Sequence, residues 1–190
     1  MFTSRFVLLF SVNIDAMDIK SAITACSIIR QSSKVSAVLH MGGYPIGSLR
    51  SAELYNPVTK ASCSLPQLSH ERYHHTQDGG LVCGGGENDE TRKTCVKLSP
   101  VSGTWVQSHK LRHRRIAHVS WATGSVVYLI GGSSSSRTSE KVKVDVDNSV
   151  EEGFSLKYDT RSYSAYNYQH GTVFLVAMPA LSLTLTMESS

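Results

Sequence analysis

The residues most suggestive of chemistry are His70-Glu71-Arg72-Tyr73-His74, which match the H-E-x-x-H pattern. On a helix, two histidines four residues apart share a face and can hold zinc while the glutamate activates water. Pro66 and the Gly79-Gly80 pair leave about a dozen residues between them, without an apolar stripe at helical spacing. On a strand, positions four apart lie about 13 Å apart, too far for one zinc ion with bonds of about 2 Å. A second cluster, His109-Lys110-Leu111-Arg112-His113-Arg114-Arg115 with His118 beyond it, offers an anion or nucleic-acid patch. It carries neither helical spacing nor interleaved aromatics, so it reads as a solvated loop entering a strand, with Arg115 turned inward onto backbone carbonyls. An acidic glycan is the ligand class that such a cluster leaves open.

Four cysteines, Cys26, Cys63, Cys83 and Cys95, form no C-x-x-C pair, which argues against a zinc ribbon or a redox motif. Cys83 and Cys95 end one strand and begin the next, a placement compatible with a disulfide and also with buried thiols. Cys63 could compete for either partner. Gly84-Gly85-Gly86 and Gly131-Gly132 open no helix and carry no following lysine, so they are not phosphate loops. The reading names no catalytic residue, no metal site and no cofactor.

The elements that position these residues come from an internal repeat. A shift of 43 positions superposes Gly42-Gly43 on Gly85-Gly86, Tyr55 on Leu98, Pro57 on Pro100, Leu68 on Leu111, Arg72 on Arg115 and His75 on His118. A third copy starts at Gly131-Gly132, where Ser139 answers Thr94 and Arg161 answers Arg115. Each unit reads as four short strands. An apolar run closes on the glycines, a second strand runs into Asn56-Pro57 or Ser99-Pro100, a third surrounds Cys63 or Trp105, and a fourth follows the arginine. Repeats of this length with four strands predict an all-β propeller built of blades.

The paired glycines, Tyr55-Asn56-Pro57, Leu68, Arg72 and His75, with Gly103-x-Trp105, Arg115, His118 and Val127 to Gly132, resemble a kelch repeat. The resemblance covers residues 35 to 176 and is similar to a subgroup found in invertebrate proteins that are often secreted. It implies a partial kelch-type β-propeller of about three four-stranded blades, at 42–84, 85–130 and 131–176, after a 1–34 leader and before a 179–190 tail. The structural positions it marks are Gly42, Gly43, Tyr55, Arg72, Gly85, Gly86, Trp105, Arg115, Gly131 and Gly132. Galactose oxidase shares the kelch propeller, but no segment here matches its copper site. No flanking BTB-type domain is present to suggest an adaptor of ubiquitin ligases.

The chain has 190 residues, 41% hydrophobic and 18% charged, with a net charge of +4, which excludes wholesale disorder. No apolar run reaches the length of a membrane span. Nucleic acid is not expected, because the basic excess is small. The apolar run after Arg5 has the outline of a short secretory signal, opposed by Asp15, and an extracellular location is slightly favoured. The expected function is binding of a protein partner through polar loops after the glycines: Tyr44 to Arg50, Glu87 to Lys93 (Asn88, Asp89, Arg92) and Ser133 to Arg137. The alternatives are a metal-dependent enzyme and a truncated fragment. About three blades are fewer than a closed ring uses, so a second copy completing the propeller is also expected.

Overall fold

The computed structural model describes residues 11–13, 36–43, 50–78, 80–86, 88–99, 101–133, 135–159, 168–169, 172–177 and 181–186. Within them the strands are β1 (Ser11–Asn13), β2 (Ser36–Met41), β3 (Ala52–Asn56), β4 (Ala61–Leu65), β5 (Thr76–Asp78), β6 (Leu81–Cys83), β7 (Thr94–Leu98) and β8 (Trp105–Lys110). They continue as β9 (Val119–Thr123), β10 (Val126–Ile130), β11 (Thr138–Lys143), β12 (Val150–Ser155), β13 (Tyr168–Gln169), β14 (Thr172–Ala177) and β15 (Leu181–Thr186). One helical turn, α1 (Asp89–Arg92), lies between β6 and β7. The strands form three four-stranded sheets, β1 to β4, β5 to β8 and β9 to β12, and a three-stranded sheet, β13 to β15. Each sheet runs in chain order, as an antiparallel meander. The fold is all-β, a partial propeller whose blades are these sheets.

The sheets are framed one strand earlier than the sequence repeat. The strand after Arg72 does not complete its own sheet. Thr76–Asp78 turns back at Gly80 and pairs with Leu81–Cys83 of the following blade. Val119–Thr123 likewise pairs with Val126–Ile130 across Gly124. A two-residue hairpin must join neighbouring antiparallel strands, so the shortest connection fixes which sheet owns the strand. In the first sheet the corresponding strand is β1, with Val12 opposite Ala37. At the other end β15 is not an appendage, since Leu183 pairs with Leu175 and Leu185 with Val173.

The chain divides into two compact units, Met1–Glu71 with Leu98–Val106, and Arg72–Lys97 with Gln107–Ser190. In the first, Leu39, Met41, Ala52, Leu54 and Leu65 are buried. Trp105 is buried there too, and its indole N–H donates to Pro66 O at 2.8 Å. Tyr55 stands half in solvent, while its repeat counterpart Leu98 is buried. In the second unit, the β5–β8 and β9–β12 blades share a core of Leu81, Cys83, Cys95, Leu111, Val127, Leu129 and Val142. Val119, Trp121, Ile130 and Leu156 form a separate cluster, against which Tyr128 and Phe154 pack.

Candidate functional site

Three hydrogen bonds establish which residues correspond between blades. Gly42 N donates to Ser51 O, Gly84 N to Thr94 O, and Gly131 N to Thr138 O. The equivalent glycine pairs are therefore Gly42-Gly43, Gly84-Gly85 and Gly131-Gly132. An ungapped 43-residue shift lands one residue late in the second blade, on Gly85-Gly86, and the match of Thr94 to Ser139 in the third falls one residue past Thr138. The loops from glycine to the next strand differ in length between blades, and an ungapped shift averages over that difference. The glycines are required by close approach. A Cβ on Gly85 would stand 2.5 Å from Tyr73 O, and one on Gly132 would stand 2.8 Å from Ile116 O.

Arg72 is buried, and it closes the loop that runs from Gly84 to Thr94. Its Nη1 donates to Gly84 O at 2.7 Å, Thr91 O at 2.8 Å and Thr94 O at 3.1 Å, and its Nη2 donates to Thr94 Oγ1 at 2.8 Å. One guanidinium thus holds both stems of one loop, which its planar fork of donors suits it to do. Burial pushes the Arg72 pKa down to about 10, against an opposing pull from Glu90. Arg115 repeats the device on the loop from Gly131 to Thr138. Its Nη1 donates to Gly131 O at 2.8 Å and Thr138 O at 3.1 Å, and its Nη2 to Thr138 Oγ1 at 3.0 Å. Burial lowers its pKa as well, and Glu140, 3.6 Å from Nη2 and fully buried, opposes the shift.

Glu140 is the residue that sequence reasoning missed. It occupies the position of Val96 in the preceding blade, and its Oε1 accepts from His113 N at 2.7 Å. The signal was available: Glu140 and Val142 are two apart on one strand, so alternation puts both on the core face. His109 was also misplaced. It lies on β8, not in a solvated loop, and is fully buried, with Nε2 donating to Lys143 O at 2.8 Å and Val146 O at 3.0 Å. The basic cluster is therefore dispersed. His109, Leu111 and Arg115 point inward, Arg114 pairs with Asp89 at 2.7 Å, and Arg112 reaches Val150 O.

The expected loop residues divide into supports and exposed groups. Asn88 caps α1, its Oδ1 accepting from Thr91 N at 2.8 Å. Arg92 donates to Gly86 O and Arg50 to Leu68 O. Arg137 bonds Lys157 O and faces Asp159 at 3.4 Å. Asp89, Glu90 and Ser133 are exposed. Tyr44 lies outside the described residues.

Cys83 and Cys95 sit directly opposite in the ladder and are joined by a disulfide just beneath the Gly84–Thr94 loop. Cys63 is disulfide-bonded too, and so does not compete for that pair. The His70-to-His74 segment forms bends, not a helix, and Arg72 within it is committed to the loop clamp. Among the described residues no group of three or more His, Cys, Asp or Glu side chains is gathered as a metal ion requires. Among them also, no helix is long and apolar enough to cross a membrane.

No family model and no curated protein matches this chain. Among solved structures it is similar to the one titled "Structure of YjhT", at 11% identity and a TM-score of 0.55, over 75% of this chain and 58% of that one. At that identity the likeness speaks to the fold alone. The chain spans less than two thirds of that structure's length.

Proposed function

We propose that this chain is a non-enzymatic, kelch-repeat interaction module that binds a protein partner through the loops following its glycine pairs. What supports the reading is the paired arginine clamp. Arg72 and Arg115, both fully buried, each tie the first and last residues of one loop to a single guanidinium. Burying a cation is expensive, and these two spend their donors on loop stems, where they fix loop shape. A loop held at both stems loses little entropy on binding, which favours recognition. The first loop then displays Asp89 and Glu90, and the second Ser133 and Arg137, as exposed polar groups.

The β3–β4, β7–β8 and β11–β12 turns provide the internal control, because each carries an exposed valine, Val58, Val101 or Val146. In the β9–β12 blade this turn lies at the opposite end of the sheet from the Gly131–Thr138 loop. The experiment is affinity capture with three forms of the full chain: wild type, a loop form (Asp89→Ala, Glu90→Ala, Arg137→Ala) and a turn form (Val58→Ser, Val101→Ser, Val146→Ser). The proposal expects one polypeptide retained by the wild type and the turn form and lost by the loop form. Retention by the loop form, or loss by the turn form alone, moves recognition away from these loops.

A further inference from the structure

We infer that His118 is an acid-sensitive latch for both clamped loops of the second unit, holding them at neutral pH and releasing them when its ring takes a proton. The biological meaning of the release rests on the reading of these loops as a partner surface, whereas its structural basis does not.

His118 is the point where the two loop stems converge. Gly84, the first residue of one loop, lies so close that a Cβ there would be 2.7 Å from the His118 Cε1 and 2.5 Å from Arg115 O. Gly132, at the start of the other loop, lies against the same residue, where a Cβ would be 3.0 Å from the His118 Cβ. The adjoining backbone links the same segments. Gly85 N donates to Arg115 O at 2.8 Å, and Ser133 N to Ile116 O at 3.0 Å. The imidazole shares one hydrogen bond, Nε2 with Thr76 Oγ1 at 2.8 Å, and its buried Nδ1 has no partner among the described residues. A displaced ring therefore presses on Gly84 and Thr76, and a shift of the whole side chain carries its Cβ against Gly132.

The charges around the ring decide what a proton does. Arg115, His75 and Arg72 act on it, every one cationic or able to become so, and no carboxylate is among them. Glu140 is engaged with Arg115, and Glu90 acts on Arg72. Burial first, and then those three neighbours, hold the His118 pKa well below its ordinary value. The sign follows directly. A base whose closed-state pKa is depressed stays neutral in the closed form while the opened form protonates near its ordinary pKa of about 6.5. Closure is therefore at full strength above about pH 6.5, and opening gains up to about tenfold for each pH unit below it. By about pH 5 the opening equilibrium of the two loops rises about thirtyfold.

The test is amide hydrogen exchange of the full chain, corrected for the intrinsic pH dependence of exchange, in the wild type and in His118→Gln. Glutamine can still bond Thr76 but cannot titrate. Between about pH 7.5 and about pH 5, wild-type amides of residues 84–94 and 131–138 should gain about thirtyfold in exchange relative to β6, β7, β10 and β11, and the variant should gain none. Loops that gain no more than the strands, or that gain equally in His118→Gln, overturn the inference. If His118→Gln does not fold, the wild-type His118 Cε1–H resonance gives the answer. A midpoint more than about a unit below 6.5, with loop amides shifting alongside it, supports the latch, and a midpoint near 6.5 with loop amides unmoved refutes it. No partner is needed for either readout. Loops that open in acid while the neutral protein captures nothing would sink the interaction reading and leave the latch standing.

Discussion

Replacing Arg72 by methionine should destabilise the protein by about 3 kcal/mol and loosen one loop before any strand. The magnitude follows from what each acceptor loses. Gly84 O has no other hydrogen-bond partner among the described residues, so it becomes a buried, unpaired carbonyl, which costs about 1–3 kcal/mol. Thr91 O keeps the Lys93 N–H and Thr94 O keeps the Gly84 N–H, so each forfeits only a second bond, about 0.5–1 kcal/mol. Removing the cost of burying the cation offsets part of that sum. Arg115→Met should cost more, about 4 kcal/mol, because it also leaves the Glu140 carboxylate buried without its cation. The double variant Arg115→Met/Glu140→Met should recover a good part of that loss. Urea unfolding gives the ordering, and residue-resolved hydrogen exchange gives the location. A cost for Arg72→Met below about 1 kcal/mol, or early exchange in β6 and β7 in place of residues 84–94, would refute the clamp argument.

The other predictions are local. Gly84→Ala places a Cβ 2.5 Å from Arg115 O at a φ of +63° and should prevent normal folding, whereas Gly103→Ala, at a φ of +65° with nothing within 4 Å, should cost about 1 kcal/mol in thermal melts. Replacing Cys83 and Cys95 together by alanine opens a disulfide spanning 12 residues and should cost about 3 kcal/mol, read as the difference in denaturant midpoint between the two proteins without reductant. Trp105→Phe keeps most of the buried ring but gives up the bond to Pro66 O, which water can then reach, so it should lose about 0.5–1 kcal/mol in the same assay.

Much of the fold was legible because glycine, arginine and turn residues recur under rigid geometric demand. Arg72 and Arg115 recur because each closes a loop, and the glycines recur because carbonyls at Tyr73 and Ile116 crowd their α-carbons. Register was less legible. A fixed offset cannot follow the different lengths of the Gly42–Ser51, Gly84–Thr94 and Gly131–Thr138 loops, so the 43-residue shift fell one late at Gly85, and the longer offset that set Thr94 against Ser139 fell one past Thr138. The ownership of Thr76–Asp78 and Val119–Thr123 was misread for a related reason. The repeat frame began at the more apolar strand, while the hairpins at Gly80 and Gly124 hand the preceding strand to the next sheet. Composition misled most at His109, which reads as part of a basic run and is instead a buried cap on the turn after β11. The loop residues Asn88, Arg92 and Arg50 were picked for polarity. Their side chains brace the backbone, and that role emerges only when Thr91 N, Gly86 O and Leu68 O are located.

The central claim is that buried arginines make the two loops as rigid as the sheets that carry them. Backbone amide relaxation tests it directly, through order parameters at residues 88–93 and 133–137 at neutral pH. The clamp predicts values of about 0.8 or above, matching β7 and β11, and values below about 0.6 at either loop would contradict it.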